Sequence, residues 1–214
     1  MTIRHHLDDA TLMAYAAGTL PEAFNLAVAS HVSLCDECRA AVASCDAVGG
    51  VLMDTVEVSD LSDESLAHTM ARLDLPEAQT PPRRVMKKGT LPGPLQDYVG
   101  GDLESIKWRP IGMGVKQAIL TTSSEAVARL LFIPAGVAMP DHSHGGNELT
   151  LVLQGAFFDE DDRFARGDIE VADGSVTHTP IADIGDDCIC LAVTDAPLEF
   201  KKLLPRIVQR FVGI

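Results

Sequence analysis

The sequence predicts an α+β multidomain chain: a small N-terminal bundle of about four helices, then a C-terminal all-β barrel. Three observations predict it. The first 75 residues place apolar side chains at helical spacing between capping residues, whereas residues 76–94 hold five prolines and reverse the sign of the charge. Beyond Tyr98, short β-type runs alternate with glycine-bearing turns. At 214 residues, and roughly 150 residues per domain, the chain is long enough for one large domain or two small ones.

The helices follow from their punctuation. Asp8 or Asp9 caps a first helix whose apolar face is Leu12, Met13, Tyr15 and Ala16, and Gly18 stops it. Pro21 suits the first turn of a second, which carries Phe24, Leu26 and Val28 towards His31. A third runs from about Cys35 to Met53 through Val42, Cys45, Val48 and Leu52, weakened by Gly49 and Gly50. A fourth begins at Asp60 or Ser62 and sets Leu61, Leu66, Met70 and Leu73 on one stripe, which must be buried on its own domain or on a partner. The boundaries expected are a helical domain at 1–75, a partly extended linker at 76–94 and a β domain at 95–214. Strands are expected at Val115–Leu120, Ala126–Ile133, Glu148–Leu153, Ile169–Val171 and Cys188–Val193.

Composition is that of a folded chain, with 46% hydrophobic and 22% charged residues. No apolar run approaches the roughly 18 residues of a spanning helix. The start, Met1-Thr-Ile-Arg-His-His-Leu-Asp-Asp, lacks a signal-peptide pattern, so a cytoplasmic location without membrane attachment is expected. The net charge of −14 is uneven: residues 1–80 carry 3 basic and 13 acidic side chains, residues 81–90 carry 4 and 0, and residues 91–214 carry 10 and 18. An acidic surface repels phosphates and attracts basic partners, which argues against direct DNA binding and against a recognition helix in the first 80 residues.

His31-Val-Ser-Leu-Cys35-Asp-Glu-Cys38 gathers one imidazole and two thiols within eight residues. Positions i and i+4 share a helix face, and Cys-x-x-Cys offers two thiolates to one ion, so a structural zinc site is favoured over a redox pair or inert packing. A closed site needs a fourth ligand. His6 is the preferred source, with His5 and His68 left open. This pattern resembles the zinc-binding anti-sigma domain over about residues 1–75. The resemblance implies zinc held by His6, His31, Cys35 and Cys38. It also implies helices that sequester an extracytoplasmic-function (ECF) sigma factor in a 1:1 complex. The stripe of Leu61, Leu66, Met70 and Leu73, with apolar residues of the earlier helices, is then expected to pack on that sigma factor.

Gly136, five residues, His142-Ser-His144, three residues, Glu148, six residues and Gly155 match the first motif of the cupin superfamily at every position. Two imidazoles two apart share one face of an extended segment, and a carboxylate four residues later adds a third ligand. The second motif keeps the spacing from Gly167 to His178 but has Asp173 for proline, Ser175 for glycine and Ala182 for asparagine, with Gly174 available for the turn. Three histidines and a glutamate suit zinc, iron, manganese or nickel. Cys188 and Cys190 share a strand face, read as buried small hydrophobes ahead of neighbours of the metal.

Together the halves resemble the ChrR-type zinc-binding anti-sigma factors with a C-terminal cupin. That resemblance implies a non-enzymatic regulator in which the helical domain holds the sigma factor and blocks transcription, and the cupin senses an oxidant such as singlet oxygen to trigger release across the linker. The rival reading is a metal-dependent cupin enzyme, a dioxygenase or isomerase, with the zinc domain as a docking module.

Overall fold

The computed structural model describes residues 2–73, 89–160, 162–173 and 177–200. Residues 76–88 of the expected linker, and Gly174 and Ser175 of the second histidine motif, lie outside them.

Helix α1 (Asp9–Ala16) starts where its cap dictates: the Asp8 carboxylate accepts the Thr11 N–H at 2.7 Å. Pro21 precedes α2 (Glu22–Val32), which buries Phe24, Leu26, Ala27, Val28 and His31. Cys35 caps α3 (Asp36–Met53), its sulfur accepting the Cys38 N–H at 3.4 Å, and Gly49 and Gly50 stay helical. Helix α4 (Ser65–Leu73) begins later than Asp60 or Ser62, so Leu61 lies four residues ahead of it and only Leu66, Met70 and Leu73 share its helical stripe. A helix not expected from sequence, α5 (Gly93–Val99), occupies the junction after Pro92 and buries Leu95. Proline there starts a helix as well as stiffening a linker.

The β half comprises β1 (Arg109–Gly112), β2 (Val115–Leu120), β3 (Val127–Ile133), β4 (His142–His144), β5 (Glu148–Gln154), β6 (Ala156–Phe158), β7 (Arg163–Ala165), β8 (Ile169–Ala172), β9 (Thr177–His178), β10 (Ile181–Ala182), β11 (Cys188–Thr194) and β12 (Leu198–Phe200). The main antiparallel sheet has the order β1-β2-β3-β11-β5-β8, and two three-stranded sheets, β10-β6-β7 and β12-β4-β9, complete the half. The five strands expected from sequence all appear, within a residue or so at their ends. The shorter ones carry too few residues to show a period of two.

The register gives the main sheet two distinct faces. Leu191 stands opposite Leu130 and Leu151, and these three, with Leu149 and Val193, form one core with Phe24, Leu26, Ala27 and Val28 of α2 and Leu95 of α5. The helices are therefore not an isolated bundle. Each such leucine or phenylalanine, taken out of water, stabilises the chain by roughly 1.5–3 kcal/mol, so the two halves hold each other. On the opposite face, Cys190 stands opposite Leu131 and Val152 and packs with Phe157 and Phe164. That face also buries the polar residues Gln117, Arg129, Glu148, Thr150 and Glu170.

Candidate functional site

Four side chains converge where α2, α3 and the N-terminal segment meet. The ligand atoms of His6, His31, Cys35 and Cys38 all lie within 4.8 Å of one another, and among the described residues this is the one such group of His, Cys, Asp or Glu. His31 Nε2 is 3.2 Å from Cys38 Sγ, and His6 Nδ1 is 3.3 Å from Cys35 Sγ and 3.6 Å from Cys38 Sγ. Sequence left the fourth position open among three histidines; the fold brings His6 there. His5 instead packs against Phe164, with ring centroids 4.3 Å apart and the planes tilted by 39°, and His68 lies on α4.

The chemistry of this set fits zinc. Two imidazoles and two thiols are the number and kind of donors that would close a structural zinc site. Burial holds His31 down to about 4, so at neutral pH its ring is uncharged, the form that binds a metal. Burial pushes the Cys38 thiol up to about 11. A buried thiol in that state needs a cation to become a thiolate, and a dication between the two sulfurs meets the need. The second ring nitrogens are also engaged: His6 Nε2 lies 3.4 Å from Glu37 Oε2, and His31 Nδ1 donates to the Gly167 carbonyl at 2.9 Å. Such outer partners fix the tautomer and the orientation of a ligating imidazole.

The cupin-type residues fall on three strands. His142 and His144 occupy alternate positions of β4, and His142 stands in register opposite His178 of β9. Glu148 opens β5, four residues beyond His144, and is buried with its Oε1 accepting from Thr150 Oγ1 at 3.0 Å. The turn between these strands is pinned by Asp195, which accepts the Asn147 N–H at 2.8 Å and its side-chain amide at 3.0 Å. Gly146 is required there, since a Cβ would sit 2.0 Å from the same carboxylate.

Beside Glu148, the sheet face holds groups that belong to neither sequence motif. Arg129 is buried with Nε and one Nη unpartnered, and the negative charge of Glu148 offsets part of the depression that burial imposes on its pKa. Cys188 and Cys190 are both buried on this face, and the Cys190 thiol is pushed up by its hydrogen bond with Cys188 and by burial. Period-two alternation on β3 and β8 is the signal that would have placed Arg129 and Glu170 on it. Leu61, Leu66, Met70 and Leu73 are all exposed. No helix among the described residues is long and apolar enough to cross a membrane.

Residues 96–197 match the family described as the ChrR cupin-like domain. Over the full length of both chains, the sequence is 60% identical to the anti-sigma-E factor ChrR of Cereibacter sphaeroides. The fold superposes with a TM-score of 0.82 on a chain of the Rhodobacter sphaeroides SigE complex with the anti-sigma ChrR, at 58% identity, covering 91% of this chain and all of that one. With the helices, the buried His/Cys cluster and the β half all present in one continuous match, the chain belongs to the ChrR family of cupin-containing anti-sigma factors.

Proposed function

We propose that this chain is a cytoplasmic anti-sigma factor that sequesters an ECF sigma factor in a 1:1 complex and is released by an oxidant such as singlet oxygen. The observation that carries the reading is the full-length likeness to a protein named as an anti-sigma-E factor. The structure supports it locally, because α4, with Leu61 four residues ahead of it, presents four large apolar side chains to solvent on the acidic half of the chain. Apolar residues so exposed mark a docking face. The net −10 of residues 1–80 complements the basic surfaces with which a sigma factor meets polymerase and DNA.

In this mechanism His6, His31, Cys35 and Cys38 hold zinc and fix the N-terminal segment, α2 and α3 relative to one another. Zinc, when bound, supplies the dication that keeps both sulfurs ionised. Leu61, Leu66, Met70 and Leu73 pack on the sigma factor. In the β half, His142, His144, Glu148 and His178 hold zinc or another divalent metal such as iron, manganese or nickel, and that centre senses the oxidant. The protein acts as a regulator and not as an enzyme, so no residue is assigned a catalytic role. Full-length chain is expected to co-purify with an ECF sigma factor from its source organism at equal stoichiometry. Failure to capture any sigma factor overturns the reading. Glu148→Gln in the same cells is expected to retain capture and lose oxidant-induced release, and normal induction would remove the β half from the signalling scheme.

A further inference from the structure

We infer that the turn between β7 and β8 is the element through which the β half controls the zinc site, with Asp168 as its positioning residue. The inference rests on reading the His/Cys cluster as that zinc site. Two of the four ligands depend on this turn. The Gly167 carbonyl accepts from His31 Nδ1 at 2.9 Å, which leaves Nε2 as the lone pair facing Cys38. Asp168, 2% exposed, accepts the Arg4 N–H at 2.6 Å and the His5 N–H at 3.1 Å through Oδ1, immediately ahead of His6 in the chain. Its Oδ2 accepts the Ala165 N–H at 2.8 Å, so the same carboxylate shapes the turn that offers the carbonyl. Charge-assisted bonds of this kind are short and about twice as strong as neutral ones.

The contact leaves no slack. Gly167 has φ +89°, and a Cβ there would sit 2.8 Å from Ile3 Cδ1, so turn backbone and N-terminal segment touch directly. Ile169 N–H extends the attachment to the His5 carbonyl at 3.4 Å. By contrast, the His6 ring is oriented from within its own half, by Glu37.

The other end of the turn reaches the cupin-type residues. It continues into β8, whose Ala172 stands opposite Glu148, and the chain arrives at His178 six residues later. Four steps along the strand, at about 3.3 Å each, therefore lead from Asp168 to Ala172, the residue paired with Glu148. A displacement of that strand is felt at His31 and at the segment carrying His6 without passing through residues 76–94.

The test uses full-length protein with cobalt(II) in the His/Cys site, where the thiolate-to-cobalt charge-transfer band reports Cys35 and Cys38 alone. The rate at which excess chelator abolishes that band is compared between the natural chain and Asp168→Ala. Losing an outer-shell partner of a metal ligand typically costs 10- to 100-fold in affinity; Asp168 holds such a partner, the Gly167 carbonyl on His31, so with an unchanged association rate release is expected to be at least tenfold faster. Asp168→Asn, which keeps an acceptor oxygen, is expected to fall between, at threefold or more, and carries the test if the alanine variant does not fold. Equal release rates overturn the proposal. Glu148→Gln is expected to change the release rate in the natural chain and to have no further effect in the Asp168→Ala background; an undiminished effect there overturns the route. The Glu148→Gln effect is expected to survive protease cleavage at a site inserted between residues 78 and 79, and its loss on cleavage would place the coupling in the linker. A natural chain with no thiolate–cobalt band would instead refute the zinc-site reading itself, an outcome distinct from equal rates.

Discussion

Replacing Leu61, Leu66, Met70 and Leu73 together by alanine tests the proposed sigma-docking face most directly. Their exposures are 80%, 71%, 54% and 73%, so they bury little in the free chain. Full burial of such a side chain is worth about 2 kcal/mol, and scaling by the area each has still to lose gives roughly 5 kcal/mol for the four. Interfaces rarely dry every residue, so half of that is a realistic floor. At 1.4 kcal/mol per factor of ten, Kd for the sigma factor is expected to rise between about a hundredfold and several thousandfold. Fluorescence anisotropy with labelled sigma factor measures it. Alanine favours helix, so α4 survives and the Tm of the free chain stays within a degree or two. Met113→Ala, equally exposed at 73% but on the β1–β2 turn, is the control and is expected to leave Kd unchanged. A change of less than tenfold in the fourfold variant would refute the argument. So would a large fall in Tm, which would show that the stripe packs on its own chain.

Further outcomes follow from particular contacts. Cys38→Ser removes a proposed zinc ligand buried between His31 and His6, and is expected to abolish zinc retention by elemental analysis and sigma capture by pull-down; the loss of a structural zinc removes on the order of 10 kcal/mol of folding free energy. Leu151→Ala, fully buried where α2 meets the sheet, is expected to cost roughly 2–5 kcal/mol and to lower one shared unfolding transition seen both by helix signal and by Trp108 fluorescence. Two separate transitions would show that the halves fold independently. Arg163 donates to Asp183 at 2.7 and 2.9 Å and holds its carboxyl below the ordinary range. A depressed folded pKa contributes stability above the unfolded value of about 3.9 and loses it as pH falls through the folded one. The stability difference between the natural chain and Asp183→Asn, measured by denaturant unfolding, is thus expected at pH 6 and to vanish in strong acid.

Much of this was legible in the sequence because it is written locally. Asp8, Pro21 and Cys35 each sit beside the helix they start, and His31, Cys35 and Cys38 lie within two turns of one another. The first cupin-type motif is likewise one continuous stretch. What sequence hid is what the register creates. Asp168 lies 164 residues from the Arg4 amide it accepts, and nothing in its neighbours distinguishes it from the other acidic loop residues. Arg129 reads as a surface cation within an apolar run until β3 is paired and its odd-numbered positions turn inward. Helix α5 was concealed because Pro92 and Pro94, which stiffen an extended segment, also suit a helix start. The stripe on α4 was visible, but that it stays uncovered in the folded chain could be learned only from the packing around it.

The magnitudes constrain how, in the proposed function, an oxidant signal would release the partner. Coupling between sites is typically worth 1–3 kcal/mol, a factor of about 5 to 150, whereas the exposed stripe alone would supply roughly 5 kcal/mol of docking. A shift of the β7–β8 turn that merely loosens His31 and the segment carrying His6 therefore weakens a tight complex without emptying it. Loss of the ion is another matter, because about 10 kcal/mol of structural support then leaves the junction of α2, α3 and the N-terminal segment. Under the proposed function, the turn would then act as a trigger for zinc loss, and zinc loss would free the sigma factor. That scheme sets an order of events. After oxidant is added to the complex, decay of the thiolate–cobalt band is expected to precede or accompany the fall in sigma anisotropy. Sigma release running ahead of band decay would place the decisive change at the α4 face and not at the metal.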